Sequence, residues 1–493
     1  MASKLKHLLI PLLLITALLV TPVFAKDTHN PLTEHEKTMA EIFYPGNAVS
    51  HIYHANLNPQ WIRPDAFWYT DNCRDTTMFI LVNTSQGTRK KIIDADRLSN
   101  ALSSSTGKQI SPSHMPIQNM EISDDEKTVQ FSLHGTIYSC DLASYTLTKI
   151  PLPDEVKAGI PSPDNSWIAY VNDSNLWIYS KITGKTSPLT TDGTQDYFYG
   201  KRSDTVRYPV SESRLNTPPV PYLSWSSDSS KIATFKVDQR NVSTLSLLQD
   251  APGTGMRPVS YSYKYAFPGD PHVPGYEPVI IDLSSGTITP LKYRSQPEVS
   301  LMDNEKNVLQ WWDETGNTTY SLFVERGEKT LRLLAADPYT GMVREIMNET
   351  GPSYIESTLE YGGDPNIRIL SDGDIIWFSE RDGWGHLYRY DSNGSLKNQV
   401  TKGPWVVRSI LAVDEKNGHI YFTASGREGG NPYYQYLYRV QPDGNDLRLL
   451  TPGQADHAIS LSPDLTCFID AYSRADLPTT TALRSMDGTL LMH

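Results

Sequence analysis

The chain has 493 residues, of which 39% are hydrophobic and 20% charged, and a formal net charge of −12. That length exceeds one ordinary core and asks for several domains or one large repeat architecture, and the composition is that of a folded protein. The acidic balance without a basic cluster excludes nucleic acid as a partner, while 28 Tyr, 10 Trp, 34 Pro and 31 Gly point to many short strands joined by turns.

The first residues, MASKLKHLLIPLLLITALLVTPVFAKD, combine a short basic start, an apolar run and a small-residue end. Val23-Phe24-Ala25 fits the rule for cleavage, so residues 1–25 read as a signal peptide and the chain as secreted or periplasmic. The apolar run is at the lower limit for a membrane span and contains Pro11 and Pro22, which sets a transmembrane anchor aside. No later segment is apolar enough to cross a bilayer. Cleavage removes Lys4 and Lys6, taking the charge from −12 to −14.

Residues 26–64 read as a short N-terminal helix and a lead-in segment. Thr33 and Glu36 form a capping box ahead of an apolar-spaced run to Phe43. His51 and His54 stand three apart, but there is no HExxH pattern and no supporting ligand, so they read as a polar loop and no metal is expected.

From Asp65 to residue 486 alternation dominates and one phrase recurs: a Ser/Asp-rich turn, an alternating strand, a turn, a second strand and a Gly-containing turn into a third. PSPDNSWIAYVNDSNLWIYSKITGKTSPLT (161–190) is its clearest copy. The phrase returns at 122–150, 225–238, 370–401, 413–451 and 461–488, with weaker copies near Phe67 and near Asp303. Each Asp turn accepts backbone N–H groups and reverses the chain. A single small sheet cannot bury its apolar face, so many must stack into a ring. The fold class expected is therefore all-β, an eight-bladed β-propeller, with seven blades as the alternative because the first and fifth copies are weak.

Within this array SERDGWGHLYRYD (379–391) reads as one strand closing, the turn RDGW, and the next strand, its aromatics stacking between blades. His386 reads as a hydrogen-bonded strand residue. GREGGN (426–431) lacks the Lys and helix of a phosphate loop and reads as a hairpin. Asp192 and Asp196 are not spaced as a calcium loop and read as turn acids. Cys73, Cys140 and Cys467 have no metal spacing and read as three scattered buried thiols, although one pair could be oxidised outside the cell.

SERDGW-x-HLY-x-YD, WSSDSSKIATFKVDQR and YSYKYAFPGDPHVPGYEPVIIDLSSG together resemble dipeptidyl peptidase IV-type members of the prolyl oligopeptidase family. The resemblance runs from about Thr33 to Met492. It implies an eight-bladed propeller that caps a serine peptidase domain, admits peptides and helps to hold their N-terminal end. Residues 487–493 then resemble a crossover towards the hydrolase. That hydrolase is expected to be absent from these 493 residues, because they contain no G-x-S-x-G pattern to expose a nucleophile. No catalytic residue and no cofactor are therefore assigned.

Relatives that release dipeptides carry paired Glu residues that bind the substrate amine, a charge-assisted contact. The matching stretch here is DYFYGKRSDTVRYPVSESRLN (196–216). Asp196 and Tyr199 line up with that pattern, but Gly200, Lys201 and Arg202 stand where acids are expected. Three readings stay open. Asp204 or Glu212 takes the amine contact, or the Lys201–Arg202 pair faces an acidic or amine-free ligand, or the pair is simply solvated.

Two functions are compatible with all this. One is the propeller of an exported serine exopeptidase, partnered by a hydrolase domain in cis or on a split chain, with a homodimer as a further option. The other is a free-standing secreted propeller that binds peptide or protein without catalysis.

Overall fold

A serine two residues before an aspartate is the commonest punctuation of this chain, and its chemistry is local. In the computed structural model Ser162 Oγ donates to Asp164 Oδ1 at 2.6 Å, and the same carboxylate accepts Ser166 N at 3.0 Å. Ser123–Asp125, Ser226–Asp228, Ser462–Asp464 and Ser485–Asp487 repeat the hydroxyl-to-carboxylate contact at 2.6–2.8 Å. Each turn satisfies its own backbone donors, so the chain reverses without help from elsewhere.

The structure describes residues 33–42, 52–54, 57–205, 209–215, 217–253, 255, 257–297, 310–357 and 364–493. The signal peptide expected over 1–25, Phe43 and His51 lie outside them. Two units are distinguished, Met1–Tyr53 and His54–His493. The first contains helix α1 (Glu34–Ile42), and its capping box is reciprocal: Glu36 N donates to Thr33 Oγ1 at 3.2 Å and Thr33 N to Glu36 Oε2 at 2.8 Å.

The second unit is a ring of eight antiparallel sheets spanning residues 60–93, 117–150, 160–188, 197–297, 310–350, 367–399, 406–449 and 456–492. Seven are four-stranded meanders in chain order; the fourth has six strands, and a separate hairpin (Thr244–Gln249 with Val259–Lys264) projects from it. The propeller therefore has eight blades, and both weakly patterned copies are complete sheets. Every strand pair among the described residues is antiparallel, so no hydrolase-type parallel sheet occurs there.

Alternating apolar residues explain the stacking. Leu333, Ile346 and Met347 of the fifth blade pack with Trp377 and Tyr388 of the sixth, and Phe378 and Leu387 of the sixth pack with Val407, Phe422 and Tyr438 of the seventh. The ring closes where Phe67, Tyr69 and Val82 of the first blade meet Cys467, Ile469 and Leu483 of the eighth. Trp61 Nε1 donates to Ser460 Oγ across the same seam at 3.0 Å. Burying a side chain of this size contributes about 1.5–3 kcal/mol, so the seams carry most of the stability.

Several expectations change. The first blade begins at Gln60 rather than 65, and Leu490–Met492 pairs with Leu477–Ser485 as the outer strand of the last blade instead of leaving as a crossover. A helix, α2 (Ala95–Thr106), packs Leu98 and Leu102 against the first and second blades. Its Ser-rich face hides the apolar spacing, but Asp94 caps it by accepting Arg97 N at 3.0 Å. A third helix, α3 (Pro209–Leu215), lies inside the 196–216 stretch. Cys73 is half-buried, unlike Cys140 and Cys467, because it sits in a hairpin turn.

SERDGW forms the strand–turn–strand expected of it. Tyr388 and Tyr390 are buried, but Trp384 is 44% exposed because it occupies the turn itself. His386 is a core residue: its Nε2 donates to Gly403 O at 2.9 Å and its Nδ1 faces Thr401 Oγ1 at 3.0 Å, while burial holds its pKa below the usual histidine range. Arg381 turns back to donate to Glu349 Oε2 at 2.9 Å and to Ser379 Oγ at 2.7 Å, and Trp377 Nε1 donates to the same carboxylate at 2.7 Å. The motif is a clamp between the fifth and sixth blades.

Candidate functional site

In a meander blade the turn between the second and third strands leaves on the same face as the crossing to the next blade. That face receives the turns around Cys73, Asp173 and Asp382, together with the projecting hairpin. Its largest departure from the repeat is in the fourth blade, where the innermost strand is split.

Tyr197–Tyr199 and Leu223–Trp225 both pair with Lys231–Asp238, end to end along one edge: Tyr199 is opposite Lys236, and Leu223 is opposite Thr234. Residues 200–222 are inserted between these pieces, and their described part includes α3. The base of this insert is locked by Tyr222 N donating to Gly200 O at 2.6 Å and Gly200 N to Phe235 O at 3.0 Å. Gly200 has φ 65°, where a side chain would be strained, and a Cβ there would lie 3.0 Å from Leu176. Because the first strand of a blade borders the central channel, the insert stands at the channel rim.

The structure separates the sequence candidates into two groups. Asp196 and Asp204 are joined through Gln239, which is 1% exposed. Its Nε2 donates to Asp196 Oδ1 at 3.2 Å and to Asp204 Oδ2 at 3.1 Å, and its Oε1 accepts Asp204 N at 3.1 Å. Lys264 N on the projecting hairpin also donates to Asp204 Oδ2, at 3.4 Å. Tyr199 is buried in the seam between the third and fourth blades, beside Leu176 and Leu223. Burial and a hydrogen bond to Asp192 push its hydroxyl far above the usual tyrosine range. These three residues hold the base of the insert.

Lys201, Arg202 and Glu212 lie on the insert proper. Lys201 Nζ donates to Asp173 O at 3.2 Å and lies 4.3 Å from the Phe198 ring centroid. Arg202 is half-buried with its guanidinium 5.8 Å from the Tyr222 ring, and its Nε is buried without a hydrogen-bond partner. Glu212 is a half-exposed residue of α3. The two cations thus rest on aromatic faces rather than extending into solvent.

Around the base, Lys236 Nζ contacts Asp192 Oδ2 at 2.5 Å and lies 4.0 Å from the Tyr197 ring; this hydrogen bond holds Asp192 below the usual carboxylate range. Burial, with the Glu277 carboxylate accepting its hydroxyl at 2.8 Å, pushes Tyr197 up to about 12. Asp192 and Asp196 are therefore paired scaffold acids. Gln239, Tyr276 (whose hydroxyl accepts Ser203 N at 2.9 Å) and Lys264 escaped sequence reasoning, since nothing local marks a buried Gln as a clamp. GREGGN is the loop of the hairpin expected there. Of the histidine pair set aside as a polar loop, His54 lies against Asp71.

With this geometry in hand, comparison with known proteins is decisive for the family. The family model for the dipeptidyl peptidase IV (DPP IV) N-terminal region matches residues 118–479. The chain belongs to this family. Similar curated relatives of the DPP IV region include a probable dipeptidyl-aminopeptidase B of Neosartorya fischeri, 26% identical over 387 residues, and dipeptidyl peptidase 4 of Trichophyton rubrum, 25% identical over 341. These alignments cover 72% and 66% of this chain but 40% of each relative, so the chain spans well under half of their length. The crystal structure of Porphyromonas gingivalis dipeptidyl peptidase 4 shares the fold, with a TM-score of 0.63 at 17% identity, over 94% of this chain and 62% of that one. Among the described residues no helix is long and apolar enough to cross a membrane.

Proposed function

We propose that this DPP IV-type propeller is the substrate-admitting part of an exported serine exopeptidase: it gates peptides and positions their N-terminal end, while a serine hydrolase domain, in cis or on a partner chain, supplies the chemistry. The propeller by itself is then not catalytic. The observation that carries this reading is the split inner strand of the fourth blade, which puts a pinned, charged insert at the channel rim. The relatives named above as dipeptidyl peptidases support peptides as the substrate class, and the apolar run over 1–25 supports export.

On this reading an acid of the insert, Asp204 or Glu212, receives the peptide amine. Arg202 favours a second version. A half-buried cation with an unpaired Nε suits an acidic group or a carbonyl oxygen better than an ammonium. Fluorescence anisotropy of a labelled X-Pro peptide, with a free or an acetylated N-terminus, separates the two. Preference for the free amine that disappears in Asp204→Ala or in Glu212→Ala supports the first. Binding indifferent to acetylation but lost in Arg202→Ala supports the second. No binding of either peptide, in a chain folded by circular dichroism, rejects peptide positioning altogether.

A further inference from the structure

We infer that His54, Asp71 and Cys73 form a binding site for a divalent transition metal of the zinc class. The three residues each offer one ligand atom, and these atoms lie within 4.8 Å of one another. Tetrahedral zinc with bonds of about 2.0–2.3 Å needs its ligands roughly 3.5 Å apart, so small side-chain rotations bring this set to coordinating distance. His54 Nδ1 already lies 2.9 Å from Asp71 Oδ1, the contact that a metal would replace.

The arrangement is built by the backbone. Asp71 lies near the end of strand Ala66–Asn72 and Cys73 follows in the hairpin turn, so two of the three ligands come from one short run of chain. Cys73 N donates to Thr76 O at 2.9 Å, fixing the hairpin turn, and His54 N donates to Asn72 O at 3.2 Å, holding the lead-in chain against it. The imidazole therefore arrives from a separate segment, 17 residues earlier in sequence. Sequence spacing alone cannot reveal such a site, and His51-x-x-His54 read as a polar loop for want of the ligands the fold now supplies.

Ligand chemistry selects the ion. A thiolate with an imidazole and one carboxylate suits zinc, whereas calcium and magnesium prefer all-oxygen shells. His54 keeps 63% of its side chain exposed and Asp71 17%, so the set is reachable and leaves a fourth position open to water. A bound metal would staple His54 to the first blade, beside the seam where the ring closes.

The test uses the full chain, stripped with chelator, and zinc or cobalt(II) alone. One equivalent of cobalt(II) is expected to give a near-ultraviolet thiolate-to-metal charge-transfer band, and zinc to protect Cys73 from alkylation. Cys140 and Cys467 are 0% and 3% exposed, so Cys73 is the thiol that reacts in the folded chain. Cys73→Ser should abolish the band, and His54→Ala, at an exposed residue that the fold tolerates, should weaken calorimetric zinc affinity at least about tenfold. His114→Ala, at a histidine bonded to Ser113 instead, should change neither. A cobalt spectrum without the thiolate band overturns the inference, as does zinc affinity unchanged in both ligand variants.

Discussion

Replacing Gln239 by Leu tests whether the insert is held by the clamp assigned to it. The side chain is 1% exposed and of similar size to Leu, so packing is conserved while three hydrogen bonds, to Asp204 N, Asp204 Oδ2 and Asp196 Oδ1, are removed. A neutral bond contributes about 1 kcal/mol net, and a bond to a carboxylate about 1.5–3 when buried. Asp196 and Asp204 are half-exposed and rehydrate when released, so each charged bond is discounted to about 1 kcal/mol. The sum is about 3 kcal/mol, which corresponds to roughly a hundredfold rise in local opening. Hydrogen exchange resolved by mass spectrometry is the appropriate assay, because the loss is local and global melting barely registers it. The peptide covering 200–205 should exchange about a hundredfold faster, while blades five to eight stay unchanged. Unaltered exchange at 200–205 would refute the clamp and, with it, the claim that the insert is pre-positioned.

Three further outcomes follow from the same structure. Asp470, fully buried, accepts His457 Nδ1 at 2.7 Å and Arg484 Nε at 2.9 Å, so Asp470→Asn removes the charge that faces the largely buried Arg484 guanidinium and sets an amide N–H against one of the two donors. That should cost about 3–5 kcal/mol and lower the thermal midpoint by roughly 4 °C; an unchanged midpoint would contradict it. At Gly193 a Cβ would overlap Ser174 O and lie 2.8 Å from Asn175 Oδ1, so Gly193→Ala should loosen the chain leading into Tyr197–Tyr199, read as faster exchange there with little change in the eighth blade. For pH, hydroxyl and backbone donors hold Asp164, Asp228 and Asp487 at about 2 against an ordinary 3.8. A carboxyl lowered by folding contributes stability above its unfolded pKa and loses it as pH falls through the folded one. The turns should therefore weaken between about pH 4 and pH 2, and ellipticity that collapses well above pH 4 would show another group in control.

What the sequence disclosed and what it withheld divide along the range of the interactions. The Ser162–Asp164 and Ser226–Asp228 turns and the apolar run of Trp167–Asn172 between them are decided within a few residues, so blade number and strand order were legible. The SERDGW turn was legible too, but not Arg381 reaching Glu349 from 32 residues away, nor the exposure of Trp384. Helix α2 was missed because four of its twelve residues are serines, of low intrinsic helix propensity, and its stability comes from Leu98 and Leu102 meeting two blades.

The insert shows the same division at the site. Lys201 and Arg202 are conspicuous in sequence because they stand where acids are expected, yet their placement depends on Phe198, Asp173 and Tyr222. Asp204 reads in sequence as a candidate amine ligand, and Gln239, 35 residues on, together with Lys264 N makes it an anchor. A loop whose charges are fixed from its two ends and from the neighbouring blade has lost much of the freedom that a ligand would otherwise have to remove. Pre-positioning of this kind is wasted on a solvated decoration, and at the rim of a channel it acts on whatever passes through. If the propeller admits peptides as proposed, the insert is the part where a change of charge, more than a change of shape, should alter which of them bind.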